Sequence, residues 1–319
     1  MKFLFPTKES EYGHMLYGCL KEGFEKLGNV VDEVHRENIT EKLIKEYDYT
    51  FLFSVTSDTV LKQIKNAGGK YLYMDKGYCR SKGVRLNNLE GYVRISINSW
   101  QPLKYLHKFE DRADRWSEIR STRIRNKNTR WRNDFTGKFD GVIGLEPQET
   151  IGEHEGSYIL LAGSSGKYHR WQGSESPQEF AENTIKELRK YTDRPIIYRP
   201  KPTWSDKKPI GGTIWKGDKD NRYSDLLDTD LYAVITHTSN AALEANFYGI
   251  PTMTLGNSIV KSISSTKISD INNIYRATVE EKNSLGRSLS YFQWKLREIK
   301  EGLMWIHLKN ILEEELNES

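Results

Sequence analysis

Residues 231–255 fix the class of fold before anything else in the chain does. Leu231-Tyr-Ala-Val-Ile235 is a short apolar run of the kind a fully covered parallel strand shows, and Ser239 or Asn240 caps a helix predicted over 241–248. Gly249 stops that helix, and Pro251 blocks its continuation before a second strand. The unit is therefore βαβ. Its turn brings backbone N–H groups and the positive end of a helix dipole to the carboxyl end of a sheet, where anions such as phosphates bind. One helical turn on, the carboxylate of Glu244 is placed to accept hydrogen bonds from ribose hydroxyls.

This segment resembles the donor-binding signature of GT-B glycosyltransferases: a Ser/Thr-rich turn opening a helix that carries a glutamate, then Gly-x-Pro and a strand. Here those elements are Thr236-His-Thr-Ser-Asn240, Glu244 and Gly249-Ile-Pro251. Epimerases acting on nucleotide sugars share the pattern, and an ordinary βαβ unit without a ligand is the plain alternative. The resemblance implies an α/β chain of two Rossmann-like domains facing across a cleft, with C-terminal helices bridging them. It also implies a nucleoside-diphosphate sugar as co-substrate, a UDP-sugar being favoured, with no cofactor and no metal.

At 319 residues the chain is long for one domain and comfortable for two. No run approaches the roughly eighteen apolar residues of a membrane span, and residues 1–6 read as a first buried strand rather than a signal peptide. Two cysteines, Cys19 and Cys79, make neither a disulfide framework nor a zinc site, so a reducing cytoplasm is expected, that of a host if the chain is phage-encoded. The formal charge of +4 decides nothing about nucleic acid; its distribution says more.

Apolar runs at 2–5, 30–34, 49–53 and 70–74 alternate with helical patterns at 12–27, 41–47 and 58–67, which argues a doubly wound parallel sheet. Ligand-contacting residues then collect past the strand ends, at 7–12, 54–58 and 75–80. Asp75 follows an apolar strand and precedes Gly77, Tyr78 and Arg80, so it is the candidate general base, with a turn-capping aspartate as the other reading. Residues 92–97 alternate like a half-exposed strand.

Between 119 and 132 stand Arg120, Arg123, Arg125, Lys127, Arg130 and Arg132 with no acid, flanked by Trp116 and Trp131. Arginine interleaved with aromatics tracks a phosphate backbone and stacks on unpaired bases; a solvated helix or loop face is the bland alternative. Tyr78, Arg80, Arg120, Arg123, Arg125, Arg130 and Trp131 are accordingly the candidate acceptor contacts.

A second alternation opens at Tyr158. Gly163-Ser-Ser-Gly-Lys167, after an apolar strand, lets phosphate oxygens approach the backbone but fits neither the Walker pattern nor Gly-x-Gly-x-x-Gly. Ser176-Pro-Gln-Glu179 carries a capping box with proline at the first helical position. Arg199 and Lys201 lie at another strand end, where the GT-B resemblance implies neutralisation of a donor diphosphate. With Gly163, Ser164, Ser165, His237, Thr238, Ser239, Asn240 and Glu244 they make up the candidate donor site. Asp228-Thr-Asp230 precedes its strand, at the wrong end for a ligand, and reads as a turn.

Residues 285–316 read as mostly helix with a buried stripe. Lys167-Tyr-His-Arg-Trp-Gln-Gly173 and residues 290–302 resemble stretches of bacteriophage-encoded glycosyltransferases, which implies hydroxymethylated pyrimidines in double-stranded DNA as acceptor. A surface glycan or small metabolite stays open beside it. The expected domains are 1–155 for the acceptor and 156–286 for the donor, with helices of 287–319 packing back on the first.

Overall fold

The computed structural model describes residues 1–7, 11–53, 58–78, 89–109, 111–112, 114–121, 147–202, 204–218 and 223–318. In chain order, β1 (Lys2–Thr7), α1 (Glu11–Glu25), β2 (Val30–His35), α2 (Glu41–Ile44), β3 (Tyr49–Phe53), α3 (Asp58–Asn66), β4 (Tyr71–Lys76), β5 (Tyr92–Ile97) and α4 (Asp114–Ser121) come first. There follow β6 (Tyr158–Ala162), α5 (Gly166–Gln172), α6 (Pro177–Leu188), β7 (Ile196–Arg199), β8 (Ile214–Trp215), α7 (Tyr223–Leu227), β9 (Leu231–Thr236), α8 (Asn240–Phe247) and β10 (Thr252–Thr254). The tail holds α9 (Val279–Ser290), β11 (Gln293–Lys295), α10 (Leu296–Lys300) and α11 (Leu303–Asn317).

These elements form two Rossmann-like α/β units, each with its own sheet. Among the described residues the first unit comprises 1–115 and 287–318, and the second 116–121 and 147–286. Residues 147–155 sit with the second unit rather than the first, because Gln148 N donates to Phe247 O and Ile151 N to Gly249 O, both at 2.9 Å.

The first sheet runs β11-β5-β4-β3-β1-β2. Its strands β2, β1, β3 and β4 are parallel, while β5 lies antiparallel to β4 and β11 antiparallel to β5. Strand β5 is buried at all six positions, not half-exposed as its alternation suggests. Val93, Ile95 and Ile97 face the main core, and Arg94 on the other face is covered by aromatic rings instead of water. The tail is not all helix either. β11 adds a sixth strand, and its fully buried Trp294 joins the core against which α1, α10 and α11 pack.

The second sheet, β10-β9-β6-β7-β8, is parallel throughout. Helix α6 covers one face, setting Phe180, Ala181, Ile185 and Leu188 on Ile159, Leu161, Ile196 and Tyr198. On the other face Ala245 of α8 packs with Leu160 and Val234. Each large apolar side chain buried this way stabilises by about 1.5–3 kcal/mol. The capping box read from sequence is present at α6: Ser176 Oγ accepts from Glu179 N at 3.2 Å, and Ser176 N donates to Glu179 Oε2 at 2.9 Å.

Candidate functional site

In the second sheet the chain runs from β6 out to β7 and β8 on one side, then returns to β9 and β10 on the other. The strand order therefore reverses between β6 and β9, the place where parallel sheets of this kind open a crevice at their carboxyl ends. Ala162 pairs with Arg199 and with Thr236, and Thr236 with Thr254, so all four strands end in register at that edge. The loops 163–165 and 237–239 flank the reversal.

Gly163 N donates to Arg199 O at 2.8 Å, and a Cβ on Gly163 would lie 2.8 Å from Pro200 Cα. Only glycine lets the loop leave β6 that close to the exit of β7. Ser164 is buried, and its hydroxyl has no partner among the described residues. Ser165 is the N-cap of α5, its carbonyl accepting from Tyr168 N and His169 N.

At the other loop, Thr236 Oγ1 accepts from Ser239 N at 3.3 Å and Ser239 Oγ caps α8 through Ala241 N at 3.2 Å. Thr238 is buried, while His237, Ser239 and Asn240 are half-buried. Ala242 N also donates to Ser239 O at 3.1 Å, so the positive potential at this edge is that of the helix dipole at a capped start.

Arg199, half-buried, lies 5.7 Å from the ring centroid of Tyr223, whose hydroxyl donates to Ala241 O at 2.6 Å. Burial pushes the Arg199 guanidinium below its ordinary value, opposed by Tyr223 and by the charge of Glu244. The charge of Glu244 thus acts on Arg199, the carboxylate on α8 and the cation at the end of β7. Lys201 is exposed past the end of β7, its carbonyl accepting from Trp204 N at 2.9 Å.

Residue types alone did not single out His169 as a partner of His237. The two rings lie 5.0 Å apart, with Tyr168 at 5.5 Å and Phe180 at 4.9 Å from His237. Burial and the nearby His169 push His237 down to about 4, and burial also lowers His169, so both imidazoles are neutral at pH 7. Gly256 packs against His237, since a Cβ there would meet His237 Cε1 at 2.5 Å. A cavity of ≈ 530 Å³ shares Phe180 with this cluster and is lined further by Leu255, Glu175 and Asn183.

In the first unit Asp75 lies near the carboxyl end of β4, held from three sides. Tyr73 Oη donates to its Oδ2 at 3.0 Å, Arg94 Nη2 approaches the same oxygen at 3.4 Å, and Lys76 N donates to Oδ1 at 2.8 Å. Tyr78 is buried, and its hydroxyl donates to Gln101 Oε1 at 2.6 Å. Burial, eased by Arg94, pushes that hydroxyl up to about 12.

Trp116 is a packing anchor rather than a stacking platform. It is buried against Phe247, its Nε1 donates to Asn283 Oδ1 at 2.9 Å, and Gly286 leaves the room its ring occupies. Arg120 reaches the same Asn283 Oδ1 at 3.5 Å. Arg80, Arg123, Arg125, Arg130 and Trp131 lie outside the described residues. Asp228 and Asp230 sit at the amino end of β9, bonded to Tyr248 and Ser157, on the edge away from the crevice.

No protein-family model matches the chain, and no curated protein matches it. Solved structures do. Thermosulfurimonas dismutans KpsC, a beta Kdo 2,7 transferase, is 13% identical over 96% of this chain and 99% of that chain, with a TM-score of 0.50. KpsC of the same organism as a beta Kdo 2,4 transferase is 12% identical over 89% of each chain, at 0.47. A co-structure of Staphylococcus aureus MnaA with UDP is 11% identical over 98% and 97%, at 0.31. At such identities the KpsC 2,7 transferase likeness establishes the two-domain α/β fold and nothing finer. Among the described residues no helix is long and apolar enough to cross a membrane.

Proposed function

We propose that the chain is a glycosyltransferase that moves a sugar from a nucleoside-diphosphate donor to an acceptor hydroxyl. The observation that carries this reading is the reversal point of the second sheet, where a glycine-opened loop, a capped helix start and Arg199 meet at one edge. An anionic diphosphate is the ligand such a combination suits: helix-start amides and a guanidinium balance its charge as it leaves. Arg199 and Lys201 are assigned to the diphosphate, with Gly163, Ser164, Ser165, Thr238, Ser239 and Asn240 around it. His237, neutral, is assigned to an uncharged hydroxyl of the donor, and Glu244 to the ribose.

Asp75 is the proposed base. In the step itself the acceptor O–H proton passes to the Asp75 carboxylate as the oxygen bonds to the anomeric carbon. The bond from that carbon to the diphosphate breaks, its electron pair leaving with the diphosphate. Release of nucleoside diphosphate from UDP-glucose and UDP-N-acetylglucosamine, with and without added hydroxyl acceptors, tests the class. Acceptor-dependent release is the expected result; conversion of UDP-N-acetylglucosamine to its 2-epimer with no acceptor would make the chain an epimerase. An Asp75→Asn enzyme that still binds donor is expected to lose at least about a hundredfold in turnover.

For the acceptor, the basic run at 120–132 supports a 5-hydroxymethylpyrimidine in duplex DNA, extruded so that its hydroxyl reaches the site. The burial of Trp116 takes one of two aromatic residues from that reading and favours a glycan or small-molecule hydroxyl as the second. Duplex binding across a salt series separates them. Phosphate contacts give a log-log slope of about −0.9 for each, and no affinity at low salt leaves the glycan reading.

A further inference from the structure

The first sheet carries an arginine that the assignments above leave without a role. Arg94, buried on β5, stands in one cross-strand row with Asp75 of β4 and Gln293 of β11. Its guanidinium lies 5.7 Å, 5.3 Å and 5.6 Å from the ring centroids of Tyr73, Tyr78 and Trp100, and Tyr73 and Trp100 stack at 4.7 Å. Gln101 Oε1 accepts from Arg94 Nη1 at 3.2 Å and from Tyr78 Oη at 2.6 Å. Burying a cation this deeply is unfavourable unless it is paired, and the only carboxylate that meets it among the described residues is Asp75.

We propose that Arg94, clamped by Gln101 and the three rings, is the positioning residue that fixes the Asp75 carboxylate for proton transfer. An ionised carboxylate offers about four lone-pair sites. Arg94 and Tyr73 occupy Oδ2 and the Lys76 amide takes one site on Oδ1, which among the described residues leaves the remaining site on Oδ1 for the acceptor hydroxyl. Tyr73 on β4, Tyr78 beyond it and Arg94 on β5 are titratable groups that act on Asp75. A neutral aspartate, or one free to rotate, loses that geometry, and a misplacement of about 1 Å costs on the order of a hundredfold in rate.

This inference rests on Asp75 being the base. The test compares Arg94→Gln, Arg94→Lys and Gln101→Leu in release of nucleoside diphosphate from UDP-glucose and UDP-N-acetylglucosamine, with water or an added alcohol as acceptor. Cooperative urea unfolding of the first unit identifies the correctly folded variants, and calorimetric stoichiometry for UDP shows separately that the proposed donor site, which belongs to the other unit, is intact. Arg94→Gln is expected to lower kcat about a hundredfold, with donor KM and UDP stoichiometry unchanged. Arg94→Lys should recover part of that loss, and Gln101→Leu, which keeps the charge, should lose about tenfold. Unchanged kcat in Gln101→Leu and in any folded Arg94 variant, with Asp75→Asn inactive, overturns the inference alone. A fully active Asp75→Asn, or a wild type that turns over no donor, removes the base assignment and the inference with it.

Discussion

At the scale of single residues, the donor site proposed for the second unit depends on small residues and neutral rings as well as on charge. Gly163→Ala would press a methyl carbon into the backbone of residues 200–201, with Pro200 Cα at 2.8 Å. We expect a loss of about 1–3 kcal/mol in urea unfolding and a parallel loss of UDP affinity, because the loop and the exit of β7 must part. His237 predicts a pH dependence. Its ordinary value of 6.5 falls to about 4 on folding, so between those pH values the unfolded chain binds a proton that the folded chain refuses. Stability therefore holds above pH 6.5 and declines as pH falls toward 4. Denaturation midpoints taken across that range check it, and His237→Asn should flatten the decline.

At the scale of elements, each unit has one internal contact on which its packing depends. Helix α1 crosses α10 at Gly23, where a Cβ would lie 1.9 Å from Ile299 O, so Gly23→Ala should cost at least about 1–3 kcal/mol in thermal or urea unfolding. In the second unit Lys282 of α9 is fully buried, and its ammonium donates to Gln148 O at 2.7 Å and Thr150 Oγ1 at 2.6 Å. Lys282→Ala orphans that carbonyl and opens a cavity, an expected loss of about 2–4 kcal/mol by the same measurement.

The elements also separate what sequence discloses from what it does not. Ser176, Pro177 and Glu179 announce α6 because capping is local, and Ser239 announces α8 for the same reason. The βαβ unit at 231–255 is legible because Gly249, with φ +91, must stop its helix. β11 is not legible: three residues show no period, and Trp294 looks the same on a strand as on a buried helix face. Arg94 reads as a solvent-facing residue of an alternating strand, and only the rings brought from residues 73, 78 and 100 show that it is covered. Trp116 errs the other way, as an aromatic beside arginines that belongs to packing.

At the scale of the whole molecule, the two Rossmann-like units differ in character. One sheet is parallel throughout and ends its strands around a reversal point; the other closes with two antiparallel pairings through β5, the last strand coming from the tail. Ending the chain before residue 287 would remove β11, α10 and α11 from the first core, where Trp294, Leu296, Ile299, Trp305 and Leu308 are buried. Such a chain should lose cooperative unfolding of the first unit while keeping UDP binding by the second.

The most direct measurement of the central claim is titration calorimetry of the intact chain with UDP, UDP-glucose and UDP-N-acetylglucosamine, repeated on Arg199→Ala. Saturable binding at one ligand per chain is the expected result, weakened about ten- to hundredfold by Arg199→Ala, the loss of one hydrogen-bonded charge. Absence of binding by every nucleoside diphosphate and nucleotide sugar, or binding that Arg199→Ala leaves untouched, would contradict it.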